Sequence, residues 1–108
     1  MIDTAKRKAY QKKMEAQLKE WRADIDKLKA KAEKADADAR IRVNDGVERV
    51  RKEFEEVRER FEKLKDAGEE RFEAAQGRFE SAIDAFKKTW KETNEKVKAG
   101  ADTVRSKS

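Results

Sequence analysis

The fold turns on how "RVNDGVERV", residues 42–50, is read. Asn44, Asp45 and Gly46 are poor helix formers, and holding all three in a helix costs on the order of 2 kcal/mol relative to alanine. Val43 and Val47 nevertheless keep a helical apolar spacing on either side. The chain either stops and turns back here or runs straight through.

Outward from this stretch the apolar residues are periodic in both directions. Toward the N-terminus they are Met14, Leu18, Trp21, Ile25, Leu28, Ala32, Ala35 and Ala39. Their steps alternate four and three, the heptad of a two-helix seam. Toward the C-terminus they resume as Val50, Phe54, Val57, Phe61 and Leu64, then Gly68, Phe72, Ala75, Phe79, Ile83, Phe86 and Trp90. From Phe61 onward the steps follow an eleven-residue repeat, which straightens a supercoil. The triplet Arg-Phe-Glu recurs at 60–62, 71–73 and 78–80, as in duplicated helical units. Aromatic residues at this spacing read as core.

Folding the chain back at 44–46 pairs residues whose numbers sum to 89. Ala35 then meets Phe54, Ala32 meets Val57, Leu28 meets Phe61, and Trp21 meets Gly68. Small residues face large ones, and basic 6–34 lies against acidic 56–84, which favours the turn. Gly46 would take the left-handed conformation that ends a helix. The expected fold is all-α: a long antiparallel helical hairpin, a coiled coil of helix 4–43, turn 44–46 and helix 47–105. It forms a single domain over 1–108, and its longer arm should span about 90 Å. The alternative is one continuous long helix in an antiparallel oligomer, whose contacts match those of a swapped dimer.

In the hairpin the second helix outruns the first, leaving a basic C-terminal overhang over 86–108. Phe86, Trp90 and Val97 would then form an apolar face without an intramolecular partner, and with Phe79 and Ile83 they make the expected surface for self-association or another protein. Lys87, Lys88 and Lys91 flank that face, and Lys6, Arg7, Lys8, Lys12 and Lys13 cluster near the N-terminus. These are the candidate contacts for an anionic partner. The alternative function is peripheral binding to a lipid or granule surface through 79–104.

Composition narrows the chemistry. The chain of 108 residues is 49% charged and 36% hydrophobic, without proline, the mixture of coiled coils and long helices. Its net charge of +5 is distributed as basic, acidic, basic: residues 1–34 carry 11 Lys+Arg against 6 Asp+Glu, residues 35–86 carry 11 against 15, and residues 87–108 carry 7 against 3. No nucleic-acid motif accompanies the basic blocks, so no specific nucleic acid is expected. With neither histidine nor cysteine, the usual zinc, haem and nucleophile–base arrangements lose their ligands and nucleophiles. No catalytic, cofactor-binding or metal-binding residue is assigned, and the protein is expected not to be an enzyme. The start, "MIDTAKRKAY", lacks the apolar run of a secretory signal, and no stretch is long enough for a membrane span. A cytoplasmic location is expected.

Residues 13–39, "KMEAQLKEWRADIDKLKAKAEKADADA", resemble the opening of small bacterial coiled-coil stress-response proteins. Leu18, Glu20-Trp21, Ile25-Asp26 and Leu28 match their pattern, and Gly68 with the Phe/Ile/Trp segment after it looks like their amphipathic part. The resemblance implies a non-enzymatic, stress-associated protein and supplies no site residues. Residues 78–100, "RFESAIDAFKKTWKETNEKVKAG", more faintly resemble phasins, the helical coat proteins of bacterial storage granules.

Overall fold

The computed structural model describes residues 4–107, with side chains over 4–98. Three helices follow one another: α1 (Thr4–Glu33), α2 (Ala37–Asp66) and α3 (Glu69–Lys107). The all-α architecture expected from the sequence is present, and long helices pack side by side as expected. The number of helices and the position of the turns differ from the hairpin.

The stretch 44–46 lies inside α2, which runs through it without a break. The reason is tertiary burial. Ala39, Val43, Val47 and Val50 are all buried, so the apolar stripe crosses the weak residues without losing register. Asn44 and Asp45 point to solvent, where a polar side chain in a helix costs least. Gly46 is placed against α3: a Cβ built on it would come within 2.7 Å of Thr93 Oγ1. Its φ is not positive, so glycine serves close approach here and not a left-handed turn.

The chain turns instead at 34–36 and 67–68. Asp36 is extended, with φ −63° and ψ 167°, and its carboxylate Oδ1 accepts the Ala39 N–H at 2.8 Å. That is an N-cap, satisfying a backbone donor that the first turn of α2 leaves unpaired. On the other side, the Lys34 and Ala35 N–H groups donate to the carbonyls of Lys31 and Ala32, closing α1 with tight three-residue bonds. At the second turn Ala67 is extended and donates to the Leu64 carbonyl, while the Gly68 carbonyl accepts from Arg71. Lys63 and Lys65 end α2, and Glu69 and Glu70 begin α3. Each charge complements the partial charge of its helix end.

The ring contacts give the topology. Phe54 pairs with Phe86 and Phe61 with Phe79, at 5.6 and 5.5 Å between centroids. These numbers sum to 140, so α2 and α3 are antiparallel. Tyr10 meets Phe72 and Phe79, and Trp21 meets Phe86 at 5.4 Å. Here both numbers rise together, so α1 runs parallel to α3. The result is an up-down-up three-helix bundle around one apolar core, 58 × 19 × 15 Å. The 39 residues of α3, at about 1.5 Å each, account for the long dimension. The 90 Å arm of the hairpin is absent because the chain folds twice.

The Trp21–Gly68 pairing fails with the hinge. Gly68 sits in the α2–α3 turn with open space where its Cβ would be.

Candidate interaction surface

The core forms as each helix buries one stripe. α1 contributes Leu18, Ile25, Leu28 and Ala32; α2 contributes eight residues from Ala39 to Leu64. From α3 come Phe72, Phe79, Ile83, Phe86 and Val97, together with Thr89 and Thr93.

This disposes of the exposed apolar face. Phe79, Ile83, Phe86 and Val97 are buried, and Trp90 is half-buried, stacked on Phe86 at 6.3 Å. The overhang was reckoned from a turn at 44–46. With turns at 34–36 and 67–68, the Trp21–Phe86 register sets the end of α1 level with residue 98, so both other helices lie along this part of α3. The side chains of 99–108 lie outside the described residues. Ile41, 73% exposed, is the large apolar side chain left open among those described.

The cationic candidates separate into different roles. Lys6, Lys8, Lys12 and Lys13 are exposed on the first turns of α1. Arg7 turns inward: its guanidinium lies 5.8 Å over the Phe72 ring, and Nη2 is 3.9 Å from Glu69 Oε1. Lys87 reaches back over the Trp21 ring at 5.7 Å, while Lys88 and Lys91 are exposed. By the α1–α3 register Lys13 is level with residue 78, about 14 Å along the axis from Lys87. The two basic groups are separate patches.

The α1 stripe begins one turn before Met14, at Tyr10, the joint between α1 and α3. Its ring meets Phe72 and Phe79 edge-on, at interplanar angles of 79° and 84°. Its hydroxyl donates to Glu80 Oε1 at 3.1 Å. Burial pushes the phenol up to about 12, the neighbouring Glu80 carboxylate adds to the rise, and a hydrogen bond with Gln76 opposes it. The available signal was helical spacing: Tyr10 stands four residues before Met14.

The concave features are grooves between helices. One of about 330 Å³ runs between α1 and α2 over Ile25 and Phe54, bordered by Arg22, Asp26, Arg51 and Arg58. Among the described residues no group of acidic side chains is arranged to hold a metal ion, and no helix is long and apolar enough to cross a membrane. In comparisons with known proteins, no family model, no curated protein and no solved structure matches the chain.

Proposed function

We propose that the protein is a non-enzymatic helical interaction protein that binds through the apolar seam beneath α1. It acts in the cytoplasm and is stress-associated, as the likeness of residues 13–39 to the bacterial stress-response proteins implies. The observation that carries the reading is the unequal attachment of the helices. α1 buries four apolar residues where α2, of equal length, buries eight. The cross-helix tethers Arg7–Glu69 and Tyr10–Glu80 both lie in its first third. A helix held by fewer buried groups opens at lower free energy than its neighbours.

Swinging α1 outward about 34–36 uncovers Leu18, Trp21, Ile25 and Leu28 on one side and Phe72, Phe79 and Phe86 on the other. The apolar face that the sequence singles out then becomes available, and closing α1 withdraws it. Native-state hydrogen exchange tests the reading. The α1 amides are expected to exchange through a local opening of lower free energy than those of α2 and α3. Exchange of all three helices only through global unfolding would sink it.

The homo-oligomer expected from the sequence follows from the same motion, with α1 of one copy closing on α2 and α3 of another. Light-scattering mass that rises with protein concentration is the expected sign, and a constant monomer mass removes this arm.

A further inference from the structure

Asn44, Asp45 and Gly46 do not turn the chain, and the carboxylate among them has no structural task. Asp45 is exposed, borders a groove of about 400 Å³ with Lys29, Arg40 and Ile41, and makes no hydrogen bond or ion pair among the described residues. Its chemistry follows from the residue after it. The residues before the four glycines are Asp45, Ala67, Gln76 and Ala99, so the chain has a single Asp–Gly bond. Glycine has no Cβ to shield its amide nitrogen, and an aspartate carboxyl closes a five-membered ring on the nitrogen that follows it. Gln76 before Gly77 would need a six-membered ring, which closes far more slowly.

We infer that Asp45–Gly46 is a latent modification site, inert while α2 is helical and converted to isoaspartate when this part of α2 opens. The Gly46 nitrogen attacks Cγ of the protonated Asp45 carboxyl. The carboxyl hydroxyl leaves with the amide proton as water, and a succinimide forms. Water then adds to one of the two ring carbonyls. Addition at Cγ restores aspartate; addition at the main-chain carbonyl leaves the chain running through Cβ and Cγ, with a free α-carboxylate. One water is lost and one gained, and the solvated groove supplies it.

The helix is the gate. Inside α2 the Gly46 N–H donates to a carbonyl one turn back, and a helical ψ at Asp45 holds Cγ away from that nitrogen. Three poor helix formers in a row lower the cost of releasing both restraints at this point. Burial of Val43 and Val47 and the close approach of Gly46 to Thr93 oppose the release. Once formed, isoaspartate adds a methylene to the backbone between Val43 and Val47. The two halves of the α2 stripe then fall out of register, and Gly46 is displaced from Thr93. Opening is recorded as a covalent change that reclosing does not reverse. The gate is α2 itself, so none of this depends on α1 swinging away.

The folded chain, the same chain unfolded in guanidinium, and a synthetic peptide of residues 42–50 are incubated together in warm, mildly acidic buffer. Tryptic fragment 43–49 is then followed by chromatography and mass. Isoaspartate appears as a second peak of equal mass that a protease cutting before aspartate leaves intact. Because the folded chain reacts only through its open fraction, its rate should be about ten-fold or more below that of the peptide. The unfolded chain should match the peptide. Equal rates in folded chain and peptide would overturn the gate. A fragment that gains mass first, through deamidation of Asn44, would overturn the assignment to Asp45.

Asp45→Glu keeps the exposed charge and removes the five-membered closure, so its fragment 43–49 should stay a single peak. After equal incubation under conditions that open the helix, followed by refolding, the parent should show a lower denaturation midpoint and less helix by circular dichroism, while Asp45→Glu keeps both. Equal losses in the two chains, or an isoaspartate-bearing parent as stable as the fresh one, would overturn the consequence for α2.

Discussion

Gly46 and Gly77 are both helical glycines, yet an added methyl group should act in opposite directions at the two. Gly77 has open space around its missing Cβ, so Gly77→Ala should raise stability by about 0.5–1 kcal/mol through helix propensity alone. At Gly46 the new Cβ would lie 2.7 Å from Thr93 Oγ1 and 3.1 Å from Thr93 Cγ2. Thr93 is buried and its Cβ is itself 3.4 Å from the new methyl. Turning Oγ1 and Cγ2 aside costs a β-branched rotamer and gives little room, and a loss of about 1–3 kcal/mol is expected. Thr93→Ala in the same chain should recover part of it, as a double-mutant cycle in chemical denaturation would show. Tyr10 gives a pH prediction. Its folded pKa is raised from 10.0 to about 12, so its contribution is fully present below pH 10 and is lost as pH rises from there through 12. Stability of the parent should therefore fall more steeply over that window than stability of Tyr10→Phe. As the sole tyrosine, it can be followed directly by tyrosinate absorbance.

The start of α2 depends on one side chain. Asp36→Ala removes the oxygen that accepts the Ala39 N–H, and should destabilise the protein by about 1 kcal/mol. Hydrogen exchange should show the loss concentrated in the first turn of α2. The cap was visible in the sequence as an aspartate before "ADAR", but Ala32, Ala35 and Ala39 carried the heptad straight across it. Alanine fits a helical stripe and a turn boundary equally well, so periodicity had nothing there to detect a break. α2 itself was legible, since its buried residues from Val50 to Leu64 are those the spacing picked out. The residues of α3 were legible too, but as a face awaiting a partner. Their partners lie on helices whose placement depends on the turns.

The bundle is short because it folds twice. Solution scattering at low protein concentration should give a maximum dimension close to the 58 Å extent, well under the roughly 90 Å of a hairpin arm. A value near the longer figure would mean that the chain turns at 44–46 after all. The charge pattern also changes meaning with the fold. In a hairpin basic 6–34 faces acidic 56–84, whereas the ion pairs of α2 are internal, joining residues three or four apart. Such pairs are worth only a few tenths of a kcal/mol each.

The sequence by itself determined that the chain is helical and amphipathic, and which large side chains belong inside. A 3.6-residue apolar period in a proline-free chain leaves few other ways to bury Phe54, Phe61, Phe72, Phe79 and Phe86. Where the chain reverses was decided by tertiary structure. Asn44, Asp45 and Gly46 carry a local cost of about 2 kcal/mol, and two outcomes of opposite topology were available to relieve or absorb it. Continued burial of Val43 and Val47 and the close approach of Gly46 to Thr93 decide in favour of a straight helix. The close approach depends on Thr93 of α3, 47 residues further along the chain, and no local preference at 44–46 encodes it.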